Sequence, residues 1–342
     1  MPSGMGPFAV AGATEARRFA GGRISLGRRR RRVVRSGVTD DQARYRAVDD
    51  EVFALYEAER YDDALEVLRT AGPGLEPWRA DLAHVAACLL AAAGRPAEAL
   101  VELRAAFDEG AWWHPRILVD DDDLAPLAEL DGFAELVRRS EERALAAEDS
   151  AGEPIVQRPA GDPKGVLVAL HGAGEDAADA FQRWSTATDA GLLVVAVESS
   201  QRNTPKYRSW PEAAVGDRDI ARALAALTPA ERELPLVMAG FSAGGRQALR
   251  YGLGRAVAFF VVAPAIGPEQ LDPALVAEAV GRGVRGTVLL GEDDDDVGEN
   301  ARASFGSLLD AGMAVELVVV PGLGHAFPAD FPDRLAKSLS SL

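Results

Sequence analysis

The chain has a single cysteine in 342 residues, which excludes an intramolecular disulfide framework. A lone cysteine suits a reducing compartment, and the chain reads as cytoplasmic. Cys88 sits in the apolar run Val85–Leu90, where the expected role is that of a buried small hydrophobe. No apolar run approaches the roughly 18 residues of a membrane span, so no membrane contact is expected. Basic charge is also short: Lys+Arg is 37 against Asp+Glu 53, a formal net charge of -16. Binding nucleic acid nonspecifically needs a basic face, so no nucleic-acid partner is expected. There are only four histidines, at 84, 114, 171 and 325, which leaves few candidates for a general base.

The basic charge that exists is concentrated at the start. Residues 1–40 hold nine arginines, five of them consecutive at 28–32, against Glu15 and Asp40. A secretory signal places charge before its apolar stretch. Here Pro7–Ala11 precedes the arginines and is too short. The segment is expected to be disordered, either a basic tail or the product of a start codon placed too early.

Residues 41–150 read as all-helical. Glu59–Leu68 and Gly94–Leu103 look like offset copies, 35 residues apart, with Ala64 matching Ala99. Small residues at 64, 71, 94, 99 and 106 fall where paired helices must approach closely. This resembles the tetratricopeptide repeat, whose period is about 34 residues, although the Trp-Leu-Gly-Tyr part of its consensus is missing. Two repeats are too few to stand alone. The pair is therefore expected to lean on a third helical unit near 124–147, on the rest of the chain, on a protein partner or on a second copy. A plain helical bundle is the alternative.

Glu148–Pro154 reads as a linker. Over 151–342 short apolar strands alternate with amphipathic helices. The strands are expected at Val166–Leu170, Leu192–Val197, Leu234–Ala239, Val257–Val262, Thr287–Leu290 and Val315–Val320. The helices are expected near 177–189, 215–228, 243–252, 271–281, 299–311 and 329–340. Alternation of this kind implies an α/β fold, a doubly wound and mostly parallel sheet covered on both faces. The uninterrupted Val/Leu/Ala runs suit strands buried on both sides.

Four motifs lie along this region. Gly240-Phe241-Ser242-Ala243-Gly244 is a Gly-x-Ser-x-Gly placed between an apolar strand and a helix. A nucleophile on such a crowded turn needs neighbours without bulk, and the helix N-terminus favours negative charge developing beside it. Upstream, the strand at 166–170 ends in His171-Gly172-Ala173-Gly174. Downstream, Gly291 is followed by Glu292 and four aspartates, 293–296. Last, Gly324-His325 stands beyond the final strand and before the C-terminal helix. A metal site in the aspartate run would need further ligands or an EF-hand spacing, and neither is visible.

Together these motifs resemble the α/β-hydrolase superfamily, in particular its compact serine esterases related to phospholipase/carboxylesterases and dienelactone hydrolases, over roughly 154–342. The resemblance implies Ser242 as nucleophile, His325 as its base and Asp294 as the acid, three residues beyond Gly291, with Asp295 as runner-up. It further implies an oxyanion hole from the amides of Ala173 and Ala243, and no metal or organic cofactor. The dienelactone-hydrolase branch has Cys where this chain has Ser242. The stretch between Ala263 and Arg285 is too short for a large cap domain, so an open site for small or exposed esters is expected. The loop 198–211 follows the next strand, and Gln201, Tyr207 and Trp210 are its candidates for lining a substrate. His171 is expected to shape its loop, and His84 and His114 to be structural. A peptidase or amidase with the same triad is one alternative function. A protein-interaction module on a relic hydrolase fold is another, but the complete Ser/Asp/His set argues against a relic.

Overall fold

The computed structural model describes residues 40–147 and 152–340. The basic segment before Asp40 and linker residues 148–151 lie outside the described residues. Two compact units account for the rest. One joins residues 40–147 with Asn203–Lys206, and the other holds 152–202 and 207–340.

The first unit is helical: α1 (Asp40–Glu57), α2 (Tyr61–Ala71), α3 (Arg79–Ala92), α4 (Pro96–Asp108), the short α5 (Pro115–Val119) and α6 (Phe133–Ala147). The 35-residue offset recurs in the backbone. Glu59 and Gly94 both turn the chain with positive φ, +56° and +75°. The amides of Arg60 and Arg95 close on the carbonyls of Leu55 and Leu90, and those of Glu59 and Gly94 on Tyr56 and Ala91. These are C-terminal caps of one kind, in which a left-handed residue lets following amides reach back to the last helical turn. Ala64 and Ala99 have no exposed surface, which fits the close helix approach expected of them.

Asn203–Lys206 belongs with the helices although it lies well beyond their end at Ala147 in sequence. Its Asn203 carbonyl accepts from the His114 amide at 2.8 Å. Its Thr204 hydroxyl lies 3.0 and 3.1 Å from the two carboxyl oxygens of buried Asp81.

The second unit is a seven-stranded sheet of order β1-β3-β2-β4-β5-β6-β7. Its strands are β1 (Ile155–Gln157), β2 (Gly165–Leu170), β3 (Leu192–Val197), β4 (Leu236–Phe241), β5 (Ala258–Val262), β6 (Arg285–Gly291) and β7 (Ala314–Val320). Only β1 is antiparallel, on the edge beside β3. Every residue of β2, β3 and β5 is buried, as continuous apolar runs require when helices cover both faces. The helices are α7 (Ala177–Trp184), α8 (Ala213–Ala225), α9 (Pro229–Arg232), α10 (Ser242–Arg255), α11 (Pro273–Gly281), α12 (Gly298–Asp310) and α13 (Phe331–Leu339). Between β5 and β6 stand only a turn of 3-10 helix, Pro268–Gln270, and α11, so no large cap interrupts the sheet. Among the described residues no helix is long and apolar enough to cross a membrane.

Register brings the motifs to one edge. Leu170 of β2 pairs with Gly240 of β4, so the His171 loop and Ser242 leave the sheet side by side. Gly291 of β6 pairs with Val320 of β7, so the aspartate run and the His325 loop do the same. This is the carboxyl edge of the strands, where open α/β sheets place their ligands.

Candidate active site

Ser242 opens α10 directly after β4, with φ +52°. A non-glycine residue is held in this left-handed region only when its surroundings over-determine it. Those surroundings are backbone. A Cβ on Gly240 would collide with the Gly244 carbonyl, and one on Gly244 with the carbonyls of His171 and Leu170. Both glycines of the motif are therefore required by main-chain contact. Ser242 is 2% exposed, and its carbonyl accepts from the Ala265 amide at 3.0 Å.

His325 and Asp294 are brought together by the β6–β7 edge. The Glu292 amide bonds to the Val320 carbonyl and the Asp293 amide to that of Leu323, both at 2.9 Å. A side chain on Gly291 would strike the carbonyls of Leu323 and Gly324. The acid loop and the histidine loop are thus laced backbone to backbone, and His325 Nδ1 lies 3.0 Å from Asp294 Oδ2. The other oxygen of Asp294 accepts from the amides of Asp296 and Val297 at 3.2 and 3.1 Å. Asp294 is buried whereas Asp295 is exposed. Half-buried Asp296 also stands near, its carboxyl pushed up to about 6 by burial, with His325 opposing and Asp294 and Asp295 adding to the rise. The ligating atoms of Asp294, Asp296 and His325 lie within 4.8 Å of one another. However, Asp294 is turned to two amides and an imidazole, the arrangement of a carboxylate that orients a base.

Aromatic packing fixes the histidine loop from the other side. Phe327, two residues beyond His325, packs at 4.8 Å from Phe331 of α13 and 6.0 Å from Trp184 of α7. Phe241 stands 4.9 Å from both the His325 ring and Phe327. Each such pair contributes about 0.5–1.5 kcal/mol beyond its buried area.

The loop after β2 carries Ala173. The Gly172 amide donates to Glu175 Oε2 at 2.9 Å, and the Gly174 amide to the Arg208 carbonyl at 2.8 Å. Between them the Ala173 amide has no acceptor among the described residues. Ala243, second residue of α10, has an amide that the helix itself cannot pair. His171 is fully buried; its Nδ1–H donates to the Gly172 carbonyl at 2.7 Å and its Nε2 accepts from the Ser199 amide at 3.2 Å. Burial holds it below the usual histidine range, so it is a neutral brace for the loop.

The three loop residues expected to line a substrate separate. Tyr207 lies over Gly174, the residue after Ala173, where a Cβ would come 3.1 Å from its ring. Trp210 is 1% exposed and donates its indole N–H to the His171 carbonyl at 2.8 Å. Gln201 closes its amide on the backbone of Glu212 at 3.1 and 2.7 Å. Trp210 and Gln201 thus hold the frame of the loop. Sequence reasoning missed Glu175 and Arg183. Glu175 ties the Gly172 amide to the Arg183 guanidinium at 2.6 Å, and that guanidinium lies over the rings of Phe327 and Phe241 at 4.7 and 5.4 Å. The signal available was slight: an acid three residues after a glycine.

Residues 44–148 match the family model described as the A/B hydrolase-like, N-terminal domain. Among solved structures the chain is similar to an uncharacterized protein from Bacillus cereus ATCC 10987, at 24% identity and TM-score 0.50, over 87% of this chain and 98% of that one. It is also similar to Zea mays acyl-protein thioesterase 2, at 20% identity and TM-score 0.46, over 56% of this chain and 98% of that one. Esterase PE8 aligns at 22% identity and TM-score 0.44, over 55% of this chain and 98% of its own. No curated protein sequence matches. The fold is that of the α/β-hydrolases, preceded by a helical N-terminal region.

Proposed function

We propose that the chain is a serine hydrolase that cleaves carboxylic esters through Ser242, His325 and Asp294. The observation that carries this reading is the His325 Nδ1–Asp294 Oδ2 hydrogen bond at the sheet edge where Ser242 sits in a strained elbow. With Nδ1–H donated to Asp294, the basic nitrogen of the ring is Nε2, which takes the Ser242 proton as Oγ attacks the ester carbonyl. The carbonyl oxygen gains negative charge and is met by the amides of Ala173 and Ala243, aided by the N-terminus of α10. Collapse of the tetrahedral intermediate expels the alcohol, which takes the proton from His325. Water then enters by the same base and releases the acid from Ser242. Asp294 accepts the Nδ1–H and stabilises the imidazolium in both halves. With only α11 and one 3-10 turn between β5 and β6, small or exposed acyl groups are the preferred substrates.

A fluorophosphonate probe and a series of p-nitrophenyl esters of graded acyl length test this directly. Labelling of the wild-type chain, absent in Ser242→Ala, with turnover highest on short acyl esters, is the expected result. A folded wild-type protein that neither labels nor hydrolyses any of them sinks the proposal.

A further inference from the structure

Three side chains of metal-ligand type meet at one point in the helical unit. His84 and Cys88 lie four residues apart on α3 and so share a face of that helix. Asp121 reaches them from the turn after α5. His84 Nε2 lies 3.3 Å from Asp121 Oδ2 and 3.8 Å from Cys88 Sγ, and Cys88 Sγ lies 3.5 Å from the same carboxyl oxygen. The Ile117 carbonyl oxygen is 3.0 Å from the same ring nitrogen. Cys88 and Asp121 are buried, while the His84 side chain keeps 17% of its surface exposed, which gives an ion a way in.

This arrangement differs from a nucleophile, base and acid. In such a triad the acid and the nucleophile address opposite nitrogens of the ring. Here thiol, carboxylate and carbonyl all converge on Nε2; the thiol proton is directed to Asp121 Oδ2, and the single ring N–H cannot serve both that oxygen and the Ile117 carbonyl with good geometry. A cation in place of that proton can. Tetrahedral Zn²⁺, with bonds of about 2.0–2.3 Å, sets its N, O and S ligands roughly 3.4–3.6 Å apart, and the three observed separations straddle that range. A thiolate, a carboxylate and a neutral imidazole also cancel the 2+ charge, as burial demands. The thiolate and imidazole favour Zn²⁺ over Mg²⁺ or Ca²⁺. The second oxygen of Asp121 accepts from the Asp123 amide at 3.0 Å, which holds the first one toward the cluster.

We propose that His84, Cys88 and Asp121 form a structural Zn²⁺ site that ties α3 to the turn after α5, with the Ile117 carbonyl as the neighbour available for the fourth position.

The full chain, stripped of metal with a chelator, is titrated with Co²⁺. Cys88 is the sole cysteine, so a thiolate-to-cobalt charge-transfer band can come only from it; ions held by Asp294, Asp296 and His325 give none. The band should saturate at one Co²⁺ per chain, vanish when Zn²⁺ is added in equal amount, be absent in Cys88→Ser, and need at least tenfold more Co²⁺ in Asp121→Asn. A folded wild-type chain that develops no band in excess Co²⁺ overturns the proposal. So does a band whose intensity and affinity are unchanged in both His84→Ala and Asp121→Asn. The decisive measurement is on the wild-type chain, so a variant that fails to fold does not blunt it.

Discussion

Gly291 lies against the carbonyl of Leu323 so closely that any side chain on it would overlap that oxygen. This contact between the end of β6 and the loop after β7 sets the pairing of Asp294 with His325. Gly291→Ala must push the 322–325 loop away. Over-packing of this kind costs about 1–3 kcal/mol, so the variant should melt lower and hydrolyse p-nitrophenyl acetate much more slowly. Wild-type turnover in Gly291→Ala would show that the histidine loop is not positioned by this contact.

Ser242→Ala should fold and lose turnover on the order of 10⁶-fold. An unaltered rate in purified protein would remove Ser242 as nucleophile.

Asp294→Asn should lower turnover roughly 10⁴-fold, as an asparagine favours the wrong imidazole tautomer. Asp295, which is exposed, should tolerate the same change. Reversed results would move the acid by one residue and leave the triad standing.

Asp81 makes stability depend on pH. Burial, opposed by the Thr204 hydroxyl and His84, pushes its carboxyl up from 3.8 to about 7. The folded chain therefore holds this proton more tightly than the unfolded one. The resulting stabilisation is complete below about pH 4 and is lost as pH rises through about 7. The melting temperature of the wild type should fall across this window, and that of Asp81→Asn should fall less. Parallel profiles for the two proteins would assign the dependence to other groups.

Glu59 occupies a left-handed turn, φ +56°, whose counterpart 35 residues on is Gly94. A Cβ costs roughly 1–2 kcal/mol there. Glu59→Gly should be more stable than Glu59→Ala by an amount of this order and melt at a higher temperature; equal melting temperatures would mean the turn is unstrained.

Much of the fold was legible in the sequence because its signals are local. Leu192–Val197 is legible with its boundaries intact, and the other five long strands to within one or two residues, because buried parallel strands are uninterrupted apolar runs. The elbow was legible too, since strand, Ser242, small neighbours and helix are contiguous. β1 was missed: three residues on an antiparallel edge leave no pattern to read. The helical offset was visible in Ala64 and Ala99, but that its two turns share one backbone geometry at Glu59 and Gly94 was not.

Other features depend on residues far apart in the chain, and only the tertiary structure decided them. Four adjacent aspartates are equivalent as letters. Asp294 is set apart by burial and by the lacing of 292–293 to 320–323, a contact between two loops. Gln201, Tyr207 and Trp210 look alike as loop polar and aromatic residues, yet Tyr207 lies over Gly174, Trp210 is buried with its indole on the His171 carbonyl, and Gln201 bonds to the Glu212 backbone. Asn203–Lys206 reads as part of the hydrolase segment and folds with the helices, because Asp81, buried some 120 residues earlier, needs the Thr204 hydroxyl. In the sequence Cys88 reads as a buried small hydrophobe and His84 as a structural residue. Their meeting with Asp121 depends on a turn more than 30 residues away, and no local periodicity encodes a contact of that range.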